Sequence, residues 1–132
     1  MVIFDSSILI DQFRTDRHRK QIDSLDELVR TSAVVLAELW RGATTRAEQF
    51  VLRDLERKHP IFTPTEKNWL ESGEILSAMV RERGFEGSKL RDLQFDVLIA
   101  LTARSNGARL ITSNRADFEL ILEYRDFKLE VW

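Results

Sequence analysis

Apolar residues follow two rhythms along this chain. Short continuous runs, "VIF" at Val2–Phe4 and "LI" inside "ARLIT", read as strands buried on both faces, as in a parallel sheet. The stretch "FKLEVW" alternates and reads as a last strand. Between them, longer stretches repeat apolar residues three and four apart, the helical period. Ser6 or Ser7 can cap a helix running through Phe13, and residues 22–30 read as another. "TSAVVLAELWRGA" has Ser32 as N-cap and Gly42 as stop. "RAEQFVLRDLERK" places Phe50, Val51 and Leu55 on one stripe. "TPTEKNWLESGEILSAMVRERG" has Thr65 as cap, a stripe of Trp69, Leu70, Gly73, Leu76 and Val80, and Gly84 as stop. "DLQFDVLIALTARSNG" is a nearly all-apolar helix ending at Asn106-Gly107, and "NRADFELIL" begins another. Strands separated by helices predict an α/β fold with a mainly parallel sheet, whose ligands sit beyond the carboxyl ends of the strands.

Composition narrows the function classes. At 132 residues, 43% hydrophobic and 32% charged, residues 1–132 are expected to form one globular domain. There is no cysteine, which removes disulfides, thiolate nucleophiles and cysteine metal sites. No run approaches the ~18 apolar residues of a transmembrane helix, and the start lacks the pattern of a signal peptide, so the expectation is a cytoplasmic protein without a membrane role. A net charge of −2 carries no nucleic-acid footprint, although acids gathered around cations would be offset locally.

Four acids occupy informative places. Asp5 ends the first strand, where it either caps the next helix or faces a site. Asp96 shares a helix face with Ile99, Ala100 and Ala103, so it is either a buried carboxylate in need of a partner or a first-turn acid with Asp92 as N-cap. Glu38 sits mid-helix one turn from Val34 and Val35, with Arg41 available as a surface partner. Asp117 follows the strand "LIT", and Asn114 three residues earlier resembles a capping box. A parallel sheet can bring all four to one edge. Their mutual repulsion then calls for a hard, oxygen-liganded divalent cation such as Mg²⁺ or Mn²⁺.

The segments carrying these acids resemble the PIN-domain family, specifically VapC-like toxins of type II toxin–antitoxin pairs. "VIFDSSILID", "TSAVVLAELWRGA", "FDVLIALTARSNGARLITSN" and "NRADF" occur in the family's order and span nearly the whole chain. The resemblance implies a three-layer α/β/α fold and a metal-dependent endoribonuclease. By position, Asp5, Glu38, Asp96 and Asp117 would be its catalytic and metal-binding acids, Asp5 and Asp96 being the first ligands. Glu38 would be a ligand or orient the attacking water, and Asp117 would hold a second metal or a metal-bound water. Ser6, Thr112 and Asn114 would hydrogen-bond around them. It also implies an RNA substrate, a cognate antitoxin lying across the site, and a homodimer. "DFELI" departs from the family in lacking a basic residue shortly after Asp-Phe.

No histidine is required, and His18 and His59 are expected to be solvated. Phosphate contacts would come from "RTDRHRK" at residues 14–20 or from Arg41, Arg46, Lys89 and Arg91. Trp40, Phe50, Leu52 and Leu55 are candidate interface or core residues, with core the expectation for most. Two alternatives remain: a binding module that kept the fold without catalysis, and a receiver-like acidic phosphotransfer domain. The receiver pattern fits poorly, since Asp5 is followed by two serines and "LITSN" has no lysine.

Overall fold

A computed structural model of the protein describes residues 1–132. Its centre is one sheet of five strands, all parallel, in the order β3-β2-β1-β4-β5. The strands are β1 (Val2–Phe4), β2 (Val29–Ser32), β3 (Ile61–Phe62), β4 (Arg109–Thr112) and β5 (Lys128–Val131). Seven helices complete a three-layer α/β/α fold: α1 (Ser6–Thr15), α2 (Arg19–Asp23), α3 (Ala33–Gly42), α4 (Arg46–Lys58), α5 (Glu66–Arg83), α6 (Gly87–Ser105) and α7 (Arg115–Leu122).

The chain builds outward from β1 to β3, then crosses back through α5 and α6 to place β4 on the other side of β1. Strand order therefore reverses between β1 and β4, and the carboxyl ends of these two strands flank the crevice where such sheets hold ligands. Val2 pairs with Val29 on one side and Arg109 on the other. All three β1 residues are buried, which is why the run is continuously apolar. The second half of α6, from Val97 to Ala103, lies in the same core with Ile3, Leu110, Ile111 and Phe118.

Several elements depart from the pattern reading. Residues 22–30 are not one helix. α2 ends at Asp23 and the chain enters β2 at Val29, because Val29 and Arg30 pair with β1 and Thr31 and Ser32 with β3. Leu28, which a helical stripe would bury, is 64% exposed. Pairing on both sides of β2 here overrides a weak helical period. Ser32 does cap α3: its Oγ accepts from the backbone N–H of Val34 at 3.1 Å and of Val35 at 3.4 Å. Gly42 closes that helix.

α4 and α5 form where expected, each behind a capping box, but both are rotated about one residue from the apolar stripes. In α4 the inward residue is Leu52, with Leu55 at the margin, while Phe50 and Val51 point outward. In α5 the inward stripe is Asn68, Ser72, Ile75 and Met79, and Trp69, Leu70 and Val80 are exposed. Two of those inward residues are polar and find partners. Asn68 Nδ2 donates to Ser105 Oγ at 2.9 Å, and Ser72 Oγ donates to the Trp69 carbonyl at 2.6 Å. A stripe chosen by hydrophobicity alone misses such a face.

His18 is not solvated. It is 2% exposed, packed 5.7 Å from the ring of Trp132, which in turn lies 5.7 Å from Phe4. His59 is half-buried, and burial, followed by nearby Arg30 and Lys58, lowers its pKa. The basic stretch at residues 14–20 is thus anchored through its histidine and is not a free loop.

Candidate active site

Asp5 stands at the N-cap position of α1, yet its side chain makes no capping bond. Ser6 and Ser7 are the first helical residues, not caps. Asp5 is 3% exposed and needs partners. Oδ2 accepts from Ser7 Oγ at 2.7 Å and from Thr112 Oγ1 at 2.8 Å. The hydroxyls are held in turn: Ser7 Oγ accepts from the Ser113 N–H at 3.1 Å, and Thr112 Oγ1 from the Asn114 N–H at 2.9 Å. Oδ1 has only Ser6 Oγ, at 3.5 Å. One oxygen of Asp5 is saturated and the other is nearly free.

Glu38 does not lie on the surface paired with Arg41. No ion pair joins them, and the Arg41 guanidinium lies 5.8 Å from the centre of the Phe95 ring. Glu38 Oε1 is buried without a hydrogen-bond partner. Burial, then the charge of Asp5, pushes its carboxyl up to about 7, against smaller pulls from the Arg41 charge and the Ser6 hydroxyl.

Asp96 is mid-helix, because α6 begins at Gly87, five residues before the Asp92 at which the apolar stretch starts. The first-turn reading fails, and so does Asp92 as a cap; Asp92 is exposed. Asp96 is 9% exposed, and Ile99, Ala100 and Ala103 on its face are all buried. Burial, then Asp5, Glu38 and Asp117 in that order, raises its carboxyl to about 8, with Lys89 opposing.

Asp117 behaves differently. Burial alone would raise its carboxyl, but hydrogen bonds from Lys89 and Asn114 outweigh it and hold the group below the usual range. Lys89 Nζ sits 2.8 Å from Oδ1, and Asn114 Nδ2 donates to Oδ2 at 3.1 Å. Asn114 Oδ1 accepts from the Asp117 N–H at 3.4 Å, so Asn114 is the N-cap of α7. The capping box is not reciprocal, since the Asn114 N–H goes to Thr112.

The fold thus brings Asp5, Glu38 and Asp117 within electrostatic reach of Asp96, and Asp5 within reach of Glu38, at the carboxyl ends of β1 and β4. Thr112 contacts Asp5 directly, Ser6 only at the outer limit, and Asn114 contacts Asp117. Sequence reasoning missed Ser7 as a support of Asp5 and the pairing of Lys89 with Asp117. Ser7 had a signal, a hydroxyl one step into the helix that Asp5 starts. Lys89 had one too, as it precedes Asp96 by two helical turns on the same face.

No three acids or histidines form a ready-made metal cage. Mg²⁺ does not require one, since it is held by one or two carboxylates and keeps several waters. The donor set is all oxygen, one buried carboxylate oxygen lacks a partner, and two carboxyls are pushed up by burial and then by their neighbours' charge. Those residues fit a hard divalent cation. Beside Glu38, a groove of about 500 Å³ runs between α1, α3 and α4, walled by Ile10, Phe13, Leu39, Val51 and Leu52, with Arg14 and Glu48 among its polar residues.

The model of the PIN domain matches residues 2–121. The chain belongs to the PIN-domain family. Solved structures of similar fold follow it over its whole length. VapBC2 from Rickettsia felis, bound to a DNA fragment from its promoter, is 24% identical with a TM-score of 0.74, covering 100% of this chain and 99% of that one. DNA-bound VapBC from Salmonella typhimurium is 21% identical with a TM-score of 0.75, again over 100% and 99%. VapBC-1 from nontypeable Haemophilus influenzae is 22% identical with a TM-score of 0.73, over 100% and 98%. These likenesses carry the fold. Comparison with curated proteins found no match.

Proposed function

We propose that the protein is a metal-dependent endoribonuclease, the toxin of a VapBC-type toxin–antitoxin pair, with residues 1–132 acting as one nuclease unit in the cytoplasm. The observation that carries the reading is the partnerless Glu38 Oε1 beside Asp5 and Asp96, in a cluster whose charges oppose their own ionisation. Such an arrangement costs stability and is explained by a cation that removes the repulsion. The PIN-domain match and the toxin–antitoxin complexes among the structural neighbours support it.

Asp5 and Asp96 would hold Mg²⁺ or Mn²⁺, with Glu38 completing the site. When bound, such an ion activates water and stabilises charge developing on a phosphodiester. Ser7 and Thr112 fix Asp5 Oδ2, so that Oδ1 is presented in one orientation. Glu38 Oε1 has no other partner, which suits it to orient the attacking water and accept its proton. Water adds to phosphorus as the bond to the 3′ oxygen breaks and that oxygen takes a proton from solvent, leaving 5′-phosphate and 3′-hydroxyl ends. Lys89 and Arg41 are the cations nearest the acids and would meet the RNA phosphates.

The partners follow from the same reading. A cognate antitoxin would lay an apolar segment in the groove beside Glu38 and close the site, and a second copy of the chain would complete a homodimer. A PIN fold kept only for binding is the competing reading, and no contact in the site favours it. The receiver-like alternative is set aside by the PIN-domain match. The test is incubation of the partner-free chain with labelled RNA and Mg²⁺ or Mn²⁺, beside Asp5→Asn and Asp96→Asn. Cleavage stopped by EDTA and by either substitution is expected. Equal cleavage by the variants would expose a contaminant and sink the assignment.

A further inference from the structure

The four acids are not equivalent, and their difference bears on how many cations the site takes. On one side, Glu38 Oε1 has no partner, Asp5 Oδ1 has only a 3.5 Å contact, and no side chain hydrogen-bonds Asp96. On the other side, both oxygens of Asp117 are taken, Oδ1 by Lys89 at 2.8 Å and Oδ2 by Asn114 at 3.1 Å.

Lys89 is held in place. It lies on α6 two turns before Asp96, which directs it to the same face. Its ammonium is 5.9 Å from the centre of the Phe85 ring, so an aromatic face and a carboxylate grip it together. An ammonium is a compact point charge. At Asp117 it supplies the neutralisation that a second metal ion would otherwise bring.

Resting on the nuclease reading, we infer that this chain binds a single divalent ion, among Asp5, Glu38 and Asp96, and that Lys89 is a built-in cation that closes the Asp117 end of the site. Asp117 is then a positioning residue for Lys89 and the β4–α7 junction, not a metal ligand. Because Asn114 spans Asp117 and Thr112, and Thr112 holds Asp5, this pairing also ties the second cation to the orientation of the first ligand.

The experiment is a count of Mn²⁺ bound per purified chain, by calorimetric titration with free Mn²⁺ followed by electron paramagnetic resonance. Wild type is expected to bind one ion. Lys89→Met, a change at a half-exposed side chain, is expected to open a second, weaker site, and Lys89→Arg to keep one. Asp117→Asn is expected to retain the single ion with about a tenfold loss of affinity, the low end of the range for groups that act behind a ligand. Asp96→Asn is expected to lose it. Two ions on the wild type, an unchanged count in Lys89→Met, or loss of the ion in Asp117→Asn would each overturn the inference while leaving a metal nuclease intact. No ion on the wild type would overturn the metal-centre reading itself.

Discussion

Asp96→Asn should stabilise the metal-free protein, although it removes a group placed at the centre of the site. The folded carboxyl titrates at about 8 against an ordinary 3.8. Between those values the folded acid keeps a proton that the unfolded chain has released. Stability is therefore full below about pH 4, falls as pH rises through the window, and stops falling above about pH 8. Each pH unit inside the window costs ~1.4 kcal/mol, so roughly 4 kcal/mol is gone by pH 7. The amide escapes this cost but must itself be buried with incomplete hydrogen bonding, which takes back about 1–2 kcal/mol. A net gain of about 2 kcal/mol, or roughly 6 °C in Tm for a chain of this size, is expected at pH 7. Thermal unfolding in EDTA at several pH values from 5 to 8 measures it. The gap between variant and wild type should widen with pH. A variant that is less stable than wild type at pH 8, or a gap that does not change with pH, would show that Asp96 is held by local bonds and not strained by burial and its neighbours' charge.

Four further outcomes follow from named contacts. Saturating Mg²⁺ should reverse that order, stabilising wild type by about 2.7 kcal/mol at a hundredfold excess over Kd and leaving Asp5→Asn unmoved; equal shifts in both would place the ion elsewhere. Thr112→Val removes the donor to Asp5 Oδ2 and the acceptor for the Asn114 N–H, so urea unfolding should show a loss of about 1–3 kcal/mol and Mn²⁺ binding should weaken. His18→Ala opens a gap beside Trp132 and should cost about 2 kcal/mol in the same assay, whereas a solvated histidine would cost next to nothing. Ser32→Ala removes the α3 cap and should cost about 1 kcal/mol.

What could be read in advance followed from how local each signal is. β1, β4 and β5 were legible because a buried parallel strand is a continuous apolar run and an edge strand alternates. The start of α3 was legible because Ser32 is a strong cap. β3, two residues between Pro60 and Pro64, is too short to show any period. β2 was hidden because its identity rests on partners distant in the chain, β1 and β3. The rotation of α5 was hidden because Asn68 and Ser72 look like surface residues until Ser105 and the Trp69 carbonyl are seen beside them. At the candidate site, strand ends and apolar helix faces singled out the four acids, and the resemblance to the PIN-domain family joined them into one set. Their inequality was not legible, since it depends on Lys89 reaching across from α6 to α7.

The most direct measurement is anomalous diffraction from crystals of the partner-free protein grown with Mn²⁺. A peak bounded by Asp5, Glu38 and Asp96 is expected. Well-ordered acids with no peak among them, at Mn²⁺ concentrations that support RNA cleavage, would contradict the metal-centre reading.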